Sequence, residues 1–83
     1  MIVKDKPFRI EAYYKNGRVV KTDYVFYQMP LRRRIREVKE LVRENIVAGF
    51  RVTFQGENID GKSFMPPDAV RIRETYLRNR VEE

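Results

Sequence analysis

The sequence predicts one small α+β domain, a single sheet with one helix packed on its apolar face, in the chain order ββαββ, with ββαβα as the alternative. Three observations lead there. Two stretches of period-two alternation are separated by a strong turn signal. An amphipathic segment of about five turns follows. A third alternating stretch comes directly after it. Eighty-three residues hold one hydrophobic core, so residues 1–83 make one domain.

Phe8 to Tyr14 sets Phe8, Ile10, Ala12 and Tyr14 against Arg9, Glu11 and Tyr13, the pattern of a half-buried strand. Val19 to Tyr27, rich in β-branched and aromatic residues, is the second strand, and Lys15-Asn16-Gly17 marks a hairpin. A two-residue Asn16-Gly17 loop would place Ile10 opposite Asp23 and Ala12 opposite Lys21. A three-residue loop with Gly17 left-handed pairs Tyr14 with Arg18 instead. It gathers Phe8, Ile10, Ala12, Tyr14, Val20, Thr22, Tyr24 and Phe26 on one face. Since a one-residue slip turns every side chain over, the hydrophobic pattern selects the three-residue loop.

Pro30 suits a first helical turn and Gly49 the position just past a helix end, so the helix is expected from Pro30 to Val47. At about 100° per residue, Leu31, Ile35, Val38, Val42 and Ile46 fall on one stripe. Arg32, Arg36, Lys39 and Arg43 fall on the next, and Arg33, Glu37, Glu40 and Glu44 on the one after. The apolar stripe follows from folding alone. The basic stripe does not, because like charges at i,i+3 and i,i+4 cost about 0.2–0.5 kcal/mol per pair. Interleaving the available glutamates would have avoided that cost.

Phe50, Val52 and Phe54 alternate with Arg51, Thr53 and Gln55 as the third strand, which the helix connects to the second as a crossover, so the two run parallel. Gly56 to Pro67 is a loop with turn signals at Asp60-Gly61 and Pro66-Pro67. The segment Asp68 to Tyr76 reads two ways. Alternation in Val70-Arg71-Ile72-Arg73 favours a strand, and the Pro67-Asp68 start permits a helix with Val70, Leu77 and Val81 on one side. The strand is the preferred reading. Residues 1–6 and 78–83 are expected to fray.

Eighteen Lys and Arg face twelve Asp and Glu, a net charge of +6. Pro30 to Phe54 alone holds seven basic and three acidic residues, so most of the excess is local. The chain has no cysteine and no histidine. That removes disulfides, thiolate metal sites and the commonest general base, and no metal or other cofactor is expected. Ser63, the only serine, has no histidine to activate it, so an enzyme is not expected. Glu57, Asn58 and Asp60 are turn residues rather than a calcium loop, whose alternating ligands and closing glutamate are missing. No stretch approaches a signal peptide or a membrane span, and the expected setting is the cytoplasm. A charge-rich, cysteine-free composition also fits a thermophile.

The candidate residues form three groups. Arg32, Arg33 and Arg34 open the helix, where cations oppose the macrodipole and a bound phosphate would reverse that sign. With Arg36, Lys39 and Arg43 they would contact phosphates, flanked by Arg51, Arg71 and Arg73 across the outer sheet face. Arg9, Tyr13, Lys21 and Tyr27 form a second group on the outside of the hairpin, suited to base stacking or to a homodimer interface. The chemistry implied is a weakly sequence-specific domain that binds DNA or RNA through its backbone. The competing reading is an interaction module that self-associates or docks on an acidic protein.

Overall fold

The computed structural model describes residues 7–54, 57–59 and 62–81. Three full strands, β1 (Phe8–Tyr14), β2 (Val20–Val25) and β3 (Val47–Phe54), form one antiparallel sheet. The order is β2-β1-β3, extended beyond β3 by the two-residue strand β4 (Glu57–Asn58). Helix α1 (Gln28–Arg43) joins β2 to β3, and helix α2 (Pro67–Val81) closes the chain. The fold is therefore a small α+β domain, but the order ββαββ does not fit. The last long element is a helix, as in the alternative order ββαβα. Strands β2 and β3 do run in the same direction, each antiparallel to β1, which lies between them.

Residues 68–76 are helical because their burial follows a helical spacing. Ala69 and Ile72 are buried three residues apart, whereas Val70 is exposed. Pro67 opens the helix where its missing N–H is not needed, and Asp68 places a carboxylate in the first turn. The helix runs through residues 78–81; residues 1–6 and 82–83, also expected to fray, lie outside the described residues.

The hairpin takes the register that the hydrophobic pattern argued against. Ile10 stands opposite Asp23 and Ala12 opposite Lys21, with Tyr14 N–H donating to the Val19 carbonyl at 2.8 Å. The loop is Lys15 to Arg18, and Gly17 and Arg18 both have positive φ. Two charged residues can share a face with Ile10 and Ala12 because β2 is an edge strand. Asp23 reaches Arg34 on α1, and Lys21 lies 4.9 Å over the Tyr14 ring.

Helix α1 begins at Gln28 and ends at Arg43, so Pro30 sits in the first turn but Gly49 does not cap the helix. Asn45, at φ +67°, takes the left-handed position. Asn45 N–H donates to the Val42 carbonyl and Ile46 N–H to the Leu41 carbonyl, at 3.0 and 2.9 Å, which is the Schellman pattern. Ile46 is consequently outside the helix and exposed. Gly49 lies within β3.

The sheet is covered on both faces. Leu31, Ile35 and Val38 of α1 pack on Ile10, Ala12, Phe50 and Val52, forming the main core. On the opposite face a smaller cluster joins Tyr13 and Ala48 to Ala69 and Ile72 of α2. No helix among the described residues is long and apolar enough to cross a membrane.

Candidate functional site

The basic stripe of α1 survives folding in part. Arg32, Arg36 and Lys39 line one shallow cleft of about 280 Å³ together with Ile35 and with Lys62, which enters from the far side of β3. None of these four cations has an ion-pair partner among the described residues. Their spacing on α1 is i, i+4, i+7, which puts the three heads in a row along one flank. Lys62 is brought there by backbone pairing. Phe64 bridges to Phe50 through two 2.8 Å hydrogen bonds, so the segment beside it runs along the open edge of β3.

The other helix arginines are placed differently. Arg33 and Arg34 sit on the opposite flank, over the edge of β2, beside Asp23 and Glu37. Arg34 pairs with Glu37 at 2.8 Å and with Asp23. The hydrogen bond to Glu37, then that to Asp23, holds its guanidinium more firmly protonated than usual. Arg43 pairs with Glu40 at 2.5 Å. Because α1 starts two residues earlier than expected, Arg32, Arg33 and Arg34 lie beyond the first turn, where the macrodipole has largely faded. An anion in the cleft would be held by side-chain charge rather than by the helix end.

Arg51, Arg71 and Arg73 do not extend this surface. The expectation that they share an outer sheet face fails because residues 68–76 form α2. Arg71 is exposed on α2 and pairs with Asp68 at 2.8 Å. Arg73 approaches Glu11 at 3.9 Å, and Arg51 stands opposite Glu11 across the β1–β3 pair.

The tyrosine group is likewise dispersed. Tyr13 is 0 % exposed, beneath α2, and its hydroxyl donates to Glu11 at 2.5 Å. Burial, reinforced by that hydrogen bond and the Glu11 charge, pushes the Tyr13 phenol well above its ordinary value. Arg9 pairs with the same carboxylate at 2.6 Å. Lys21 lies on the α1 face over Tyr14, and Tyr27 is exposed at the start of α1. These four residues form no common platform, because the register and the covering helix send them to different places. Glu11, Arg9, Arg73 and Tyr13 instead make a charged contact that ties α2 to the sheet.

Lys62 and Phe64 were not among the expected site residues. Their only sequence signal is a cation and an aromatic just after the Asp60-Gly61 turn, and Asp60 and Gly61 lie outside the described residues. No group of acidic, histidine or cysteine side chains suited to a metal ion occurs among the described residues. Comparison with protein-family models, with curated proteins and with solved structures finds nothing that matches this chain.

Proposed function

We propose that this chain is a small nucleic-acid-binding domain that holds the phosphate backbone of DNA or RNA along one flank of α1. One observation carries the reading: Arg32, Arg36, Lys39 and Lys62 line a single cleft with no carboxylate paired to any of them among the described residues. Four unneutralised cations cost the isolated fold repulsion energy, and a polyanion removes that cost. Contacts of this kind position a strand and carry little sequence information. No catalysis is part of the proposal, and a cytoplasmic setting is.

Polarisation titrations of a labelled oligonucleotide over a range of salt concentrations test it. Four phosphate contacts give a slope of log K against log salt of about −3 to −4. Replacing Arg36 and Lys39 together with alanine should remove about half of that slope. Arg34→Ala, which breaks pairs on the other flank, should leave the slope unchanged. A flat plot, or no binding at low salt, refutes the reading.

A second reading is a protein-interaction module, self-associating or docking on an acidic partner. It is favoured by the exposure of Tyr24, Phe26, Tyr27 and Met29 around the β2–α1 junction. A stable oligomer in solution, with no nucleic-acid absorbance in freshly purified protein, would decide for it.

A further inference from the structure

The cationic cleft continues into a second hollow whose floor is aromatic. Lys39 and Lys62 line both. Beyond them the hollow, of about 340 Å³, is bounded by Val42, Phe50, Ser63 and Phe64. Phe50 is buried in the main core, but Phe64 is 47 % exposed although its backbone is fixed by pairing with Phe50. The two rings lie 6.4 Å apart, tilted by 43°. Phe64 therefore presents ring surface to solvent beside two lysines, on backbone that cannot easily withdraw it. The contact with Phe50 accounts for part of the ring, and the surface that remains exposed is open to a ligand.

Resting on the nucleic-acid reading above, we infer that the ligand is single-stranded, with one unpaired base stacked on Phe64 while Lys39 and Lys62 hold the phosphates on either side. A base has a π-face whatever its identity, so this contact is sequence-tolerant. The hollow lies at the small end of the range for small-molecule sites, about 300–1,000 Å³, which suits one base rather than several. Ser63, which also lines the hollow, accepts a hydrogen bond from Val52 N–H at 2.9 Å, which ties it to the backbone of β3. In a duplex the bases are stacked on one another, and Phe64 would face only the backbone.

The test compares four probes of equal length: a single-stranded oligothymidylate, its abasic counterpart, a duplex, and inorganic polyphosphate. Wild-type protein should bind the oligothymidylate more tightly than the other three. Phe64→Leu keeps the apolar contact with Phe50 and removes the π-face. It should weaken oligothymidylate binding by about five- to a hundred-fold and leave duplex and polyphosphate binding unchanged. Phe64→Tyr should restore binding. An abasic strand bound as tightly as oligothymidylate, or a Phe64→Leu variant with unaltered affinity for oligothymidylate, overturns this inference and leaves the phosphate-binding reading standing. Absence of binding to every probe overturns both.

Discussion

Replacing Gly49 with alanine tests how tightly the 62–66 segment is held against β3. A methyl group at Gly49 would lie 2.4 Å from the Phe64 carbonyl oxygen, 2.7 Å from Ala69 Cβ and 2.9 Å from Pro66 Cδ. Two effects compete. Alanine restricts the unfolded chain, which stabilises the fold by about 0.4–1 kcal/mol where the native backbone accepts it. Against that, even a close carbon–oxygen contact spans about 3.3 Å, so the carbonyl must retreat by nearly 1 Å. Neither that oxygen nor Ala69 is the free end of a flexible side chain. The retreat strains both hydrogen bonds between Phe50 and Phe64, each worth about 0.5–1.5 kcal/mol. Overpacking adds about 1–3 kcal/mol. Sterics win, with a net loss of about 2–4 kcal/mol. At about 4–8 °C per kcal/mol for a domain this size, the melting temperature should fall by about 8–32 °C. Thermal unfolding followed by circular dichroism measures it. A fall of less than about 4 °C would mean that the segment yields freely, and that Lys62 and Phe64 are not held where the site requires them.

Three further substitutions have defined outcomes. Glu11→Gln leaves Arg9, Arg51 and Arg73 facing one another without their carboxylate. Removing one partner of a fully buried pair costs about 3–5 kcal/mol; because Arg9 and Arg73 reach solvent, the expected loss is about 1–3 kcal/mol, read by urea unfolding and reduced by added salt. Asn45→Ala forces a side chain with no local hydrogen-bonding capacity into the left-handed region and should cost about 1–2 kcal/mol, whereas Asn45→Gly should be neutral within about 0.5 kcal/mol; equal stability of the two variants would contradict the cap. The Tyr13 phenol has a folded-state pKa raised above its unfolded value of about 10. Its contribution is therefore complete below about pH 10 and is lost as pH rises further. Melting temperature should decline more steeply above that pH in the wild type than in Tyr13→Phe, and one of the five tyrosines should ionise only on unfolding.

Local periodicity made α1 legible. Leu31, Ile35 and Val38 are buried, and Arg32, Arg36 and Lys39 share one flank, as their spacing along one helix implies. Features decided by long-range pairing were not legible. The hairpin register could not be read from hydrophobicity, because Asp23 and Lys21 are tolerated by partners on α1 and β1 that a strand-by-strand comparison does not include. The strand reading of residues 68–76 rested on four alternating residues, and the buried pair, Ala69 and Ile72, lies three apart, one of them too small to register as a core signal. Three of the four cations of the cleft were visible because they lie on one helix. Lys62 was not, because it reaches α1 only through the bridge between Phe50 and Phe64.

The middle one of the three full strands, β1, is also the first of them along the described chain. The hairpin joins neighbours, but the next pairing, Tyr14 with Val47, must close a loop of more than thirty residues against chain entropy before it gains any contact. Until then β1 has an unsatisfied side, and the row of N–H and C=O groups that seats Lys62 and Phe64 does not exist. During synthesis, the surface that would meet a polyanion thus forms only after α1, which covers the larger apolar face of the sheet, has already been made.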